Sequence, residues 1–148
     1  MRSYALLIAF VASVAAHPAA SEVEARQAEL ASWPAVGGSL TRGTIGNSLR
    51  FSVFAPENYV DGAPSFAASC PAFSYIPNTY IACKGFVDAN ATVEATAAWN
   101  GNAPPQPTTV SVRHTFTNAA GEAVVALGTY STTNANIDHF RLSVSIVN

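Results

Sequence analysis

T-V-S-V-R-H-T-F-T, from Thr109 to Thr117, alternates without a break. Val110, Val112, His114 and Phe116 fall on one side, with Thr109, Ser111, Arg113 and Thr115 on the other. A period of two is the mark of a strand with one face buried. Asn118 to Gly121 is a short turn, so Glu122 to Tyr130 is read as the antiparallel hairpin partner. Ser131 to Asp138 is a polar loop. Phe140, Leu142, Val144 and Ile146 then end the chain as an alternating strand, with Arg141, Ser143 and Ser145 facing out.

The same reading extends upstream. Asn100 to Pro107 carries Gly101, Pro104, Pro105 and Pro107 and must be a loop. Ala91, Val93, Ala95, Ala97 and Trp99 line one face of the run before it, opposite Thr92, Glu94 and Thr96. That run is rich in alanine, as a helix would be, but its β-branched residues and alternation favour a strand. Leu49, Phe51, Val53 and Ala55 form another face that stops at Pro56; Phe66, Ala68 and Cys70 repeat the pattern up to Pro71. Tyr80 to Cys83 is a short apolar stretch. Trp33 to Thr44 is the least regular, and Gly37-Gly38 suggests a bulge or bend. The sum is an all-β, single-domain antiparallel barrel or sandwich of about seven to eight short strands.

The start of the chain has a different character. Met1-Arg2 is positive, Tyr4 to Val14 is almost wholly apolar, and Val14-Ala15-Ala16 offers small residues. This pattern predicts a secretory signal peptide over 1–16 rather than a membrane span, which needs about 20 apolar residues. Residues 17–27 read as a flexible or propeptide-like segment, with Arg26-Gln27 a single-basic processing point. The folded domain is expected over 28–148, close to the commonest domain size.

Charge excludes some partners. From Gln27 onward the basic residues are Arg42, Arg50, Lys84, Arg113 and Arg141, scattered among slightly more carboxylates. No basic stripe exists to neutralise phosphates, so nucleic acid is not an expected partner. An anionic membrane surface is not expected for the same reason. Cys70 and Cys83 are the two cysteines. In an oxidising compartment such a pair is read as a disulfide, and no cofactor or metal is expected.

Catalytic signals are weak. His114 shares a face with Val110, Val112 and Phe116 and reads as a packed histidine with one satisfied hydrogen bond. His139 follows Asp138, but neighbours on a strand point to opposite faces. No serine sits in a G-x-S-x-G turn. Glu57, Asp61, Asp88, Glu94, Glu122 and Asp138 make no pair by spacing, and Glu94 and Glu122 read as surface charges. The expectation is a protein that is not an enzyme. Asn90-Ala91-Thr92 is a glycosylation sequon. Tyr75, Tyr80, Trp99 and Asn102 are the candidate partner-binding residues, because aromatic groups near loops commonly anchor partners.

Several stretches together resemble a known group. The signal-like start, Arg26-Gln27, N-S-L-R-F-S-V at Asn47 to Val53, and F-A-A-S-C at Phe66 to Cys70 are similar to the fungal small secreted proteins related to the Alternaria major allergen. Y-I-A-C at Tyr80 to Cys83 and V-S-V-R-H-T-F at Val110 to Phe116 continue the likeness, the latter resembling a strand of that family's plant-defence elicitors. It spans about Ala28 to Asn148. The resemblance implies a compact β-barrel or sandwich, fungal origin, and extracellular action as an effector-like or allergen-like binder. It also implies the Cys70–Cys83 bridge. Several relatives have a second disulfide and sometimes an extra N-terminal cysteine for dimerisation; this chain has neither, which leaves a monomer or non-covalent dimer. The functional expectation is a secreted effector- or elicitor-like protein that binds a host extracellular protein or a small ligand. A secreted carbohydrate-binding module or small polysaccharide-active hydrolase is the alternative, marked by a flat Trp99–Tyr platform or by two carboxylates about 5 to 9 Å apart.

Overall fold

The computed structural model describes residues 32–99, 107–131 and 137–147, all strand, turn and loop without a helix. The signal-peptide and propeptide readings, Asn102 and most of the two long loops lie outside them. Nine strand segments join one antiparallel sheet: β1 (Ser32–Gly43), β2 (Gly46–Ala55), β3 (Phe66–Phe73), β4 (Ile81–Ala82), β5 (Lys84–Phe86), β6 (Thr92–Trp99), β7 (Pro107–Thr117), β8 (Ala123–Ser131) and β9 (His139–Val147). Their order is β4-β6-β7-β8-β9-β1-β2-β3-β5.

A counting constraint explains the two short segments. Each of the seven long strands is antiparallel to its neighbours around the sheet. The outermost two, β3 and β6, therefore run in the same direction and cannot close a ring antiparallel to each other. An eighth strand is needed between them, and 81–86 supplies it in halves. Ile81 and Ala82 pair with Ala95 and Glu94 of β6. The Cys83 amide still donates to the Val93 carbonyl at 2.8 Å. From Lys84 the chain changes sides, and Lys84, Gly85 and Phe86 pair with Ser69, Ala68 and Ala67 of β3. The result is a nearly closed barrel, which leaves little free strand edge.

Cys70–Cys83 sits at the crossing point, with Cα atoms 4.4 Å apart. The bridge ties β3 to the residue where the closing segment leaves β6. Gly85 is required beside it. A Cβ there would lie 2.3 Å from the Ala67 carbonyl oxygen, and its φ of +153° disfavours other residues.

Alternation fills the interior. Leu49, Phe51 and Val53 of β2, Ala68, Cys70 and Ala72 of β3, Val93, Ala95 and Ala97 of β6, and Val110, Val112, His114 and Phe116 of β7 all point inward and are buried. Small residues on some strands make room for large ones on others. Trp33, completely buried, lies over Gly128, where an added Cβ would come within 2.6 Å of the indole ring. The irregular stretch does form a strand, and its register with β2 slips between Val36 and Ser39, at the paired glycines.

Sequence boundaries need correction at several strand ends. Pro107, read as loop, opens β7 opposite Trp99, a first-residue position where its missing N–H is tolerated, and Ser131, also read as loop, closes β8. β3 runs through Pro71 to Phe73 instead of stopping at the proline. Pro71 is tolerated because, beyond Ser69, the seam side of β3 has no ladder partner among the described residues. Glu122 belongs to the turn before β8, where its amide donates to Asn118 Oδ1 at 2.9 Å.

Replacing both Cys70 and Cys83 by serine should lower stability by about 3 kcal/mol, from the closed-loop entropy. Denaturant midpoints of the oxidised and substituted proteins check this. Hydrogen exchange should show the largest loss of protection at Lys84–Phe86, and uniform loss across the barrel would contradict the seam role.

Candidate functional site

One end of the barrel is plugged from outside. The β2–β3 loop turns back through bonds from the Asn58 amide to the Ala63 carbonyl (2.8 Å) and from the Ala63 amide to the Val60 carbonyl (2.9 Å). This places Tyr59 and Ala63 in the core. The Tyr59 ring meets Trp33 edge-on at 5.3 Å, and Phe66 meets Trp33 likewise at 5.2 Å. His114 packs 4.7 Å from Phe66 and 5.0 Å from Phe116, measured between ring centres. Its Nδ1 is hydrogen-bonded to the Tyr59 hydroxyl at 2.8 Å, and its Nε2 has no protein partner among the described residues.

The packed, singly bonded histidine expected from β7 is therefore present, with a partner from a loop 55 residues away. Burial holds the His114 pKa down at about 4, against a smaller upward pull from Asp88. Burial also raises the Tyr59 pKa above its ordinary value. At neutral pH both are uncharged and sealed from solvent.

Outside this plug lies a cleft of about 530 Å³ lined by Gly62, Pro64, Asp88, Asn90, Phe116 and Thr117. Asp88 is the one carboxylate among these described lining residues. Asn90, the sequon asparagine, is exposed, and its amide donates to Asp88 Oδ1 at 2.8 Å. It stands at the rim of the cleft.

The aromatic candidates separate. Tyr75 is exposed in the β3–β4 loop at 47%, its ring 5.2 Å from Phe73. Tyr80 is half-buried, with the Arg113 guanidinium 4.4 Å above its ring. Arg113 also pairs with Glu94, so neither Glu94 nor Tyr80 is a free surface group. Trp99 is half-buried against the core, its Nε1 enclosed. Tyr80 and Trp99 are therefore engaged within the barrel and build no open platform together.

Sequence reasoning missed an exposed aromatic pair on the outer wall. Phe54 on β2 and Phe86 on β5 flank Ala67 of β3 in one cross-strand row, all three facing outward. Their exposures are 39% and 71%. Two strand spacings put their Cα atoms roughly 10 Å apart. The signal was present for Phe54, which occupies the outward phase of a strand whose other outward residues are Ser48, Arg50 and Ser52. Arg50 and Lys84 stand on the same wall, both exposed.

No protein-family model, curated protein or solved structure matches this chain. Its class rests on the fold itself: an all-β, nearly closed antiparallel barrel carrying one disulfide. Among the described residues, no helix is long and apolar enough to cross a membrane. The bridge suits an oxidising compartment.

Because His114 titrates near 4 when folded and near 6.5 when unfolded, the unfolded chain binds more protons between those values. The neutral-histidine contribution is complete above about pH 6.5 and is lost as pH falls towards 4, by about 3 kcal/mol in all. Denaturant midpoints measured at pH 7 and pH 4 should show this loss. In His114→Phe/Tyr59→Phe, which removes both ends of the bond, that share of the pH dependence should vanish; an unchanged slope would refute the assignment.

Proposed function

We propose that this chain is a secreted, effector- or elicitor-like protein of fungal type that binds a host extracellular protein through the outer wall of β2, β3 and β5. The observation that carries the reading is the Phe54–Ala67–Phe86 row. Two phenylalanines held outward on paired strands lose little conformational freedom on binding and offer large apolar area. A barrel buries its apolar faces inside, so rings on the outer face are exceptions to the pattern that built it. Arg50 and Lys84 on the same wall add polar groups able to orient a partner.

The signal-like N-terminus and the motifs at Asn47–Val53, Phe66–Cys70 and Val110–Phe116 support secretion and the fungal, plant-directed reading. The disulfide is consistent with both. Binding, not catalysis, is the proposed activity: the wall carries the aromatic groups, whereas the histidine with the perturbed pKa is enclosed in the core.

The oxidised protein, immobilised and exposed to plant apoplastic extract, should retain a discrete protein. Phe54→Ser/Phe86→Ser should reduce that retention about tenfold or more, as loss of two anchoring rings implies. Its denaturant midpoint should match wild type, since both side chains are outside the core. Retention unaffected by the substitutions, or binding only to insoluble polysaccharide, would overturn the proposal.

A further inference from the structure

The split eighth strand has a second consequence. Where 81–82 pairs with β6, it diverges from β3, and a groove of about 380 Å³ opens on the outer wall. Pro71, Phe73 and Ile81 give it an apolar lining, while Arg50, Ser69 and Lys84 contribute polar groups. We infer that this groove binds an extended acidic segment of a protein partner. The inference rests on the proposal that this wall is the binding face, and names the chemistry the wall selects.

The charge distribution points to an acidic ligand. Arg50 and Lys84 are both exposed, and neither has an acidic partner among the described residues. The described carboxylates lie elsewhere. Glu57 and Asp61 in the β2–β3 loop, Asp88 before β6 and Glu122 before β8 gather at the plugged end. Glu94 is paired with Arg113, and Asp138 precedes β9 on the far side of the sheet. An anionic ligand in the groove therefore meets two cations, and Glu94, across from the lining residue Ala82, is already paired with Arg113. Aggregate charge gives no hint of this, because the whole chain is net −2.

Register supplies the shape. Ser52, Ser69 and Lys84 form one cross-strand row, and Arg50 pairs with Pro71 in the row two residues along. Two strand spacings and two residues of rise put the Arg50 and Lys84 Cα atoms roughly 12 Å apart, within joint reach of one short segment. The groove follows β3 from Ser69 to Phe73, about 13 Å, or some four residues of extended chain. Side chains of such a segment alternate between the two walls, so neighbouring acidic residues can meet Arg50 and Lys84 in turn. Among the described residues, the β3 edge beyond Ser69 has no ladder partner and can accept part of a backbone, while Pro71 prevents a full added strand. A peptide is favoured over an acidic glycan because, among the described lining residues, Phe73 is the one aromatic ring in the groove.

The test uses the full oxidised chain and a fluorescent octapeptide in which pairs of adjacent acidic residues alternate with pairs of apolar ones, read by anisotropy. The acidic peptide should bind, weaken as salt is raised, and lose about tenfold or more in affinity against Arg50→Gln/Lys84→Gln. Arg42→Gln, on the β1–β2 hairpin away from the groove, should leave binding unchanged. No binding, or equal binding by the groove variant, would overturn the inference. So would polygalacturonate binding that is lost in the same variant while the peptide does not bind, which would assign the groove to an acidic glycan. Peptide binding does not require Phe54 or Phe86. Groove-dependent peptide binding without retention of any plant protein would therefore support the groove and count against the effector reading alone.

Discussion

Closing an odd number of antiparallel strands is the constraint on which this structure depends. Seven long strands leave β3 and β6 pointing the same way, and the ring can close only through a segment running against both. Residues 81–86 meet that need in two halves, first on β6 and then on β3. A strand of six residues that changes partners midway has few hydrogen bonds to hold it on either side. The Cys70–Cys83 bridge compensates at the point of exchange, where the backbone must leave one neighbour for the other. The small size of Gly85 then lets the segment approach β3 closely.

The interior follows from the same geometry. A small barrel leaves room for one layer of large side chains from some strands if others present alanine or glycine. Ala68, Ala95, Ala97, Ala126 and Gly128 give that room, and Trp33, Phe51, Phe66, His114 and Phe116 use it. Tyr59 completes the packing from a loop, and its hydroxyl satisfies one nitrogen of His114. Burying a neutral histidine in this way couples the fold to pH, because its charged form has no comparable site inside.

With the core enclosed, the proposed recognition falls to the outer surface. The incomplete eighth strand shapes that surface as well as closing the barrel. Its β5 half carries Phe86 into line with Phe54, and its β4 half diverges from β3 to open the groove between Arg50 and Lys84. On the β6–β7 face the outward cation is neutralised locally, Arg113 by Glu94 and the Tyr80 ring. What distinguishes the proposed binding wall is that two exposed cations, Arg50 and Lys84, line one groove together with apolar side chains.

The paired glycines marked the bulge at Gly37-Gly38 and two cysteines alone implied one bridge, while alternation in the sequence determined the strands from β2 to β3 and from β6 to β9 and the inward set on each. Those features are local: a period of two specifies which side chains share a face whatever the strand's neighbours are. The sequence also contained Phe54 on an outward phase, legible once that strand's parity is followed. It carried no sign that Lys84-Gly85-Phe86 is a strand, because three residues are too few for a period to register. Nor did it pair Tyr59 with His114 or Tyr80 with Arg113, since those contacts join separate loops and strands. Closure, the plug and the groove were decided by the tertiary structure alone, because each depends on how non-neighbouring strands meet across a ring.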